Sequence, residues 1–406
     1  MSAKTANTPK LRFPEFSEKW REEQLGDYFT FKNGINADKS AYGSGRKFIN
    51  VLDIIAAGPI LHDNIIGSVE ISDAEFEKNK VVYGDILFQR SSETREEVGQ
   101  SNVYLDREHS ATFGGFVIRG RTVKESHPEF FDCLLKTSAV RSDMTARSGG
   151  STRYNVGQDS LSQVKVIVPT DQNEQQKIAA FLGAVDGRIE KLTRKKALLE
   201  DYKKGCMQQL FTRKLRFKDD QGKDFPDWRE KRLGDVAEIN PRSNSLPDEF
   251  LYIDLESVSQ GSLAAAKLTL KSEAPSRAQR LLASGDILFQ LVRPYQKNNF
   301  FFQSAELHVA STGYAQLRAY ENPAFLYQLV HETGFVNRVL ERCTGTNYPA
   351  INSNDLAEVT VQLPCPDEQR KIADFLGAID TKITFVADES EAARDFKKGL
   401  LQQMFV

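Results

Sequence analysis

At 406 residues the chain exceeds what one ordinary hydrophobic core supports, so two domains with connecting elements are expected. Hydrophobic residues make up 40% and charged residues 27%, the balance of a globular protein, and the net charge of −2 excludes a uniformly basic nucleic-acid-binding domain. Four widely spaced Cys (Cys133, Cys206, Cys343, Cys365), five scattered His and no apolar run of about eighteen residues exclude a disulfide framework, a zinc site and a membrane-spanning helix, so a cytoplasmic setting is expected.

Residues 1–10 are expected to lack fixed structure. WREEQLGD, from Trp20, opens a mixed α/β stretch in which KFINVLDI, DILFQ and VKVIVP read as short strands rich in Val, Ile, Phe and Leu. PEFFDCLLKTSAVRSDMTA reads as an amphipathic helix opening at Pro128, which suits a first turn. After Pro169 a long helix is expected, capped by Asp171 or Asn173, with carboxylates near its start suiting the helix dipole. Its apolar positions Ile178, Leu182, Val185, Ile189, Leu192, Leu199, Cys206 and Leu210 form a seam of threes and fours, interrupted at Lys196 and Lys203.

The second half runs through WREKRLGD from Trp228, the strands FLYIDL, DILFQ and VTVQLP, and a helix from Pro323, PAFLYQLVHETGFVNRVLERC. A final long helix carries the seam Ile372, Leu376, Ile379, Ile383, Val386, Ala393, Leu400 and Met404, interrupted at Ser390 and Lys397. A 3.5-residue period calls for a helical partner, and each long helix is the obvious mate of the other, preferably antiparallel; a plain dimerisation coil would show the same stripe. At 1.5 Å per residue such a helix is ~55 Å long, against roughly 34–36 Å for a turn of B-DNA.

The halves repeat one another. EQQKIAAFLGAVDGRI from Glu174 aligns without gaps on EQRKIADFLGAIDTKI from Glu368, and the match continues to Phe211 and Phe405 with 18 of 38 positions identical. WREEQLGD answers WREKRLGD, GDILFQ occurs at 84–89 and 285–290, and DSLSQVKVIVP answers NDLAEVTVQLP. Between these blocks the halves diverge. The expected class is therefore α+β: two α/β domains in pseudo-two-fold tandem repeat (1–169 and 213–363), separated by two long antiparallel coiled-coil helices (170–212 and 364–406). Trp20 and Trp228, at repeated scaffold positions, are assigned to packing.

The ordered set LGD, GDILF, STRY or GTNY, a strand ending in Pro, EQxKIAxFL and KKGxxQQxF, present twice, resembles the specificity subunit of type I restriction–modification systems. The resemblance covers nearly the whole chain. It implies two target recognition domains, each contacting one half of a split double-stranded DNA sequence. It also implies that the helices set the gap and dock two methyltransferase subunits, with motor-nuclease subunits joining afterwards. S-adenosylmethionine, ATP and Mg2+ would belong to those partners and none to this chain. The last helix stops soon after QQMF, leaving little to close a circular arrangement with the N-terminus.

Motifs for chemistry are missing. No E-x-K occurs, the D-x-K triplets at Asp201, Asp380 and Asp395 fall in the coil helices, no G-x4-GK loop is present, and neither Asn-Pro is followed by Pro-Tyr or Pro-Phe. A non-catalytic DNA-recognition subunit is expected, against two rivals: an enzyme that itself modifies DNA, and a coiled-coil adaptor that binds none. Charge leaves only local patches for DNA: residues 30–168 carry 17 Lys and Arg against 18 Asp and Glu, and residues 236–363 carry 10 against 13.

Two places in each half offer donors for phosphates and base edges. After the first GDILFQ come Arg90, Ser91, Ser92 and Arg95; after the second come Arg293, Tyr295, Gln296, Lys297, Asn298 and Asn299. Arg suits guanine and Asn or Gln suits adenine, although a solvated loop would look alike. The other place is Ser151, Thr152, Arg153 and Tyr154, answered by Thr346, Asn347 and Tyr348, which reads equally as a phosphate-binding loop or as a tight turn with a buried Tyr.

Overall fold

The computed structural model describes residues 7–243, 245–259 and 261–406. The chain forms two compact units, one from the residues up to Thr193 together with Asp388–Val406, the other Arg194–Ala387. The division falls inside both long helices, Gln172–Phe211 and Pro366–Met404, so each unit holds the start of one helix and the end of the other.

In the first unit a four-stranded antiparallel sheet has the order Phe29–Asn33, Val117–Thr122, Ile86–Gln89, Ser101–Val103. A smaller sheet holds Ser68–Val69, Tyr42–Ile49 and Thr112–Phe113, and Arg21–Gln24 pairs antiparallel with Lys165–Val168. The second unit repeats the plan with Ala237–Ile239, Tyr314–Ala319, Ile287–Gln290 and Phe300–Phe301, and with Arg229–Arg232 paired to Thr360–Leu363. Its accessory sheet is larger, with four strands ordered Lys267–Leu270, Glu249–Ile253, His308–Ser311, Ala278–Leu281.

The repeated motifs are structural devices. In GDILFQ the Gly takes a positive φ (86° at Gly84, 95° at Gly285), a conformation open to glycine at no steric cost. The buried Asp85 accepts from the Val82 amide at 2.9 Å and from the Arg121 guanidinium at 2.9 and 2.6 Å. Asp286 does the same with Ala283 and Arg318. The four residues that follow are the buried strand itself. In LGD the Asp caps a short 3-10 turn, Asp27 accepting from the Gln24 amide and Asp235 from the Arg232 amide.

The expected helix cap at Asp171 is present: its carboxylate accepts from the Asn173 amide at 2.8 Å. The carboxylate expected to serve the dipole does something else. Glu174 is 1% exposed and accepts from Arg12 at 2.6 and 2.7 Å and from the Trp20 indole at 3.2 Å. Glu368 repeats this with Arg216 at 3.1 and 2.8 Å and Trp228 at 3.0 Å. Burying a carboxylate is unfavourable unless it is paired and hydrogen-bonded, and each Glu has both. The Trp residues therefore pack and also donate.

Both seams are filled. Ile178, Leu182 and Val185 pack with Leu400, Met404 and Phe405 in the first unit's core; Ile372, Leu376, Ile379 and Ile383 pack with Leu210, Cys206 and Phe211 in the second's. Leu192 and Val386 are buried, and Ile189 and Leu199 half-buried. Two of the three lysines that interrupt the seams pair across the helices, Lys397 with Asp186 at 2.6 Å in one unit and Lys203 with Asp380 at 2.7 Å in the other, while Lys196 meets Glu200 of its own helix at 3.5 Å. Residue numbers rise along one helix as they fall along the other, so the pairing is antiparallel within each unit.

Several sequence expectations are corrected. KFINVLDI is not one strand: the strand stops at Ile49 and Val51–Ile55 is a helix, because the Asn50 side chain accepts from the Leu52 amide and caps it. Each helix opened by Pro is two, Pro128–Leu135 with Ser138–Ala146 and Pro323–His331 with Thr333–Leu340. At the second break Glu332 takes an extended backbone and caps the next helix, its side chain accepting from the Gly334 and Phe335 amides. Of residues 1–10, expected to be unstructured, 1–6 lie outside the described residues, but Pro9 is buried and the Asn7 carbonyl accepts from the Trp20 amide at 3.0 Å. The space after QQMF is also closed: the Leu11 amide donates to the Gln403 carbonyl at 2.9 Å, and Phe405 packs edge-on to Trp20. Among the described residues no helix is long and apolar enough to cross a membrane.

Candidate nucleic-acid interface

Each unit brings its two predicted loops together at the end of the buried ILFQ strand. In the first unit Ser91–Ser92 pairs antiparallel with Tyr154–Asn155, and the Val156 amide donates to the Arg90 carbonyl at 3.0 Å. In the second, Val292 bridges Ala350, the Arg293 amide donates to the Pro349 carbonyl at 2.7 Å and the Ile351 amide to the Leu291 carbonyl at 3.1 Å. Residues roughly sixty apart in sequence thus form one surface in each half, joined by backbone ladders that any side-chain set tolerates.

The first surface presents Arg95, Ser151, Thr152 and Arg153 exposed, with Arg90, Ser91 and Tyr154 half-buried. Arg90 lies along the loop, its guanidinium donating to the Gly115 carbonyl at 3.2 Å. The Ser91 hydroxyl donates to the Asn155 side-chain oxygen, while the Asn155 amide donates to the Arg153 carbonyl at 3.1 Å. Ser92 points inward: it is buried and donates to Glu97 at 2.8 Å. A concavity beside these groups is lined by Asn33, Arg90, Asn155, Gly157, Gln158 and Asp159.

The second surface has a different chemistry. Tyr348 is 63% exposed, so the alternative of a buried Tyr is excluded for this loop, and the Arg293 guanidinium carbon lies 4.2 Å from the centre of its ring. Cation–π stacking of this kind restrains the direction in which the guanidinium points. Arg293 itself has φ 55°, a left-handed backbone that costs a non-glycine residue about 1–3 kcal/mol and marks strain held by its surroundings. Tyr295, Gln296, Thr346 and Asn347 are exposed, and Asn298 is half-buried. Lys297 turns inward and donates to the His331 carbonyl at 2.8 Å, its burial pushing its pKa below the usual lysine range. Asn299 is buried and accepts from the Gln290 amide at 2.9 Å.

Sequence reasoning missed two features. Asn155, next to the STRY motif, ties the two loops of the first unit, and its proximity to Tyr154 was the only local signal. The repeat also begins earlier than the Trp-containing block, at Leu11-Arg12-Phe13 and Leu215-Arg216-Phe217. Phe13 lies edge-on to Phe181 and Phe217 edge-on to Phe375, which seats each segment on the start of a long helix.

Comparison with known proteins agrees with this architecture. A family model described as the type I restriction modification DNA specificity domain matches residues 17–201 and 226–393. The chain is 23% identical to the putative type I restriction enzyme MjaX specificity subunit of Methanocaldococcus jannaschii, over 98% of this chain and 95% of that protein. It is 24% identical to the type I restriction enzyme HindI specificity subunit of Haemophilus influenzae, over 44% of this chain and 41% of that one. In structure it is similar to the type I restriction–modification S subunit from M. genitalium, with a TM-score of 0.61 at 16% identity over 98% and 99% of the two chains.

Proposed function

Because the chain belongs to the type I restriction–modification DNA specificity family, we propose that it is the subunit that reads the target. Each α/β unit contacts one half of a bipartite double-stranded DNA sequence, and the two long helices fix the gap between the halves. The observation that carries this reading is that one frame, repeated down to its Glu–Trp–Arg clamps, presents a different set of side chains on each pair of joined loops. In the first unit the contacts come from Arg90, Ser91, Arg95, Ser151, Thr152, Arg153 and Tyr154. In the second they come from Arg293, Tyr295, Gln296, Asn298, Thr346, Asn347 and Tyr348. Ser92 and Lys297, which point inward, shape the loops that carry them.

Two methyltransferase subunits dock on the helices in this proposal, and motor-nuclease subunits join them. Support comes from exposed apolar side chains at repeated helix positions: Phe181 and Phe396 flank a concavity with Ala184 and Ala392 in one unit, while Leu198 and Tyr202 are exposed in the other. Tyr202 and Phe396 occupy the same place in the repeat, as expected if one kind of partner binds twice. S-adenosylmethionine, ATP and Mg2+ act on those partners, and this chain contributes recognition rather than a bond-making step.

Footprinting of the assembled complex tests the reading. One site protected in two blocks with an unprotected gap supports it. Absence of protection favours an adaptor that binds no DNA, and methylation or cleavage by the purified chain alone favours an enzyme in its own right.

A further inference from the structure

The first unit carries an aromatic side chain that the second lacks, beside the loop that bears Arg90. Gln89 stands opposite Val117 in the first sheet, as Gln290 stands opposite Tyr314 in the second. One residue further along, the Arg90 amide donates to the Phe116 carbonyl at 2.8 Å, as the Leu291 amide donates to the Gly313 carbonyl at 3.1 Å. Phe116 and Gly313 therefore occupy the same place in the two frames. Phe116 is 60% exposed although both residues that flank its turn, Phe113 and Val117, are fully buried.

The turn beneath it is tightly held. The Gly114 amide donates to the Ile49 carbonyl at 3.0 Å and the Val117 amide to the Gly114 carbonyl at 2.9 Å. A side chain at Gly114 would come within 2.7 Å of the Phe48 ring, so the turn packs directly on that ring. The Gly115 carbonyl also receives the Arg90 guanidinium at 3.2 Å. A close-packed turn thus projects one phenyl ring into solvent beside a guanidinium positioned by the same turn. Exposing a large apolar side chain on a rigid support gives up burial energy, which a contact made only in the complex would recover.

We propose that Phe116 is a specificity-determining contact for the first unit's half-site alone, placing its ring against the apolar edge of a base, a thymine methyl group or an unstacked base face. This rests on the bipartite reading above. Arg90 beside it supplies the polar part of the same contact, and the second unit, with Gly313 in that place, relies on the Arg293–Tyr348 stack instead.

The test is a position-by-position base-substitution scan of the target, read as binding by the assembled complex carrying the wild-type chain or Phe116→Ala. The variant is expected to weaken binding of the full target roughly 10-fold, within the span of a single base contact. It should flatten discrimination at one or two adjacent positions in one half only, leaving non-specific binding and thermal midpoint unchanged. A wild-type scan with two clear halves and an unaltered Phe116→Ala scan overturns the assignment while sparing the bipartite reading. Equal loss in both halves also overturns it. A wild-type scan without two halves overturns both.

Discussion

Removing the Glu174 carboxylate should unfasten the first unit. Glu174→Ala would leave the Arg12 guanidinium, 11% exposed, without the two bonds at 2.6 and 2.7 Å that neutralise it, and would orphan the buried Trp20 indole. Breaking one side of a buried ion pair costs about 3–5 kcal/mol, and the stranded indole donor, worth about 1–3 kcal/mol alone, overlaps with that loss rather than adding to it. Glu174→Gln keeps an acceptor for Trp20 and loses only the charge, at roughly 2 kcal/mol. The chain has two tryptophans, one in each clamp, so in a Trp228→Phe background the fluorescence of Trp20 reports the first unit by itself. In urea the Glu174→Ala midpoint should fall by roughly 1–2 M, with Glu174→Gln between it and the parent. A shift worth less than about 0.5 kcal/mol on that reporter would refute the clamp, since it lies inside the range of an ordinary surface substitution.

Further outcomes follow from the same geometry. Arg90→Ala and Arg293→Ala should each weaken binding to a different half-site, by roughly 1–3 kcal/mol where a base is contacted; a substitution that affects both halves equally would show a shared feature instead. Reversing Lys203 to Asp should cost about 1 kcal/mol in thermal unfolding, and adding Asp380→Lys should restore most of it, because the two groups meet at 2.7 Å with moderate exposure. His331, half-buried and donating to the Tyr327 carbonyl at 2.7 Å, has its pKa lowered to about 4 by burial. A depressed histidine pKa favours the folded state above the unfolded value near 6.5, and that contribution is lost as pH falls toward about 4. Stability should drop by about 2 kcal/mol over that window, allowing for the partial exposure of His331. In His331→Phe the slope should flatten, as measured by urea midpoints at each pH.

The duplicated frame was legible because its signals are local: a buried ILFQ strand, a Pro-terminated strand and a helical seam each announce themselves within a dozen residues. What the repeated letters do was not legible. Glu174 reads as a dipole partner from its own neighbourhood, and its true partners, Arg12 and Trp20, lie more than 150 residues away in sequence. Asp85 needs Arg121 from the neighbouring strand for the same reason. The seam lysines looked like interruptions since a single helix cannot show the register of its antiparallel mate; with Asp186 and Asp380 at equivalent repeat positions, the pairing becomes obvious only in the fold. At the candidate interface, sequence found the two loops but not their direction. Nothing local distinguishes Lys297, folded back onto His331, from Gln296, which is exposed. VLDI was misread as strand because β-branched residues outweigh a single capping Asn in any propensity argument.

The decisive measurement is the preferred gap between target halves after both long helices are lengthened together. Inserting one heptad after Thr193 and one after Ala387 keeps the seam in phase and adds about 10 Å, close to three base pairs at roughly 3.4 Å each. Selection of bound sites from duplexes with a randomised gap, using the assembled complex, should return the same two half-sequences set about three base pairs further apart. Recovery of the original gap with both halves still read would contradict the account, because the distance between halves would then be set by something other than the helices.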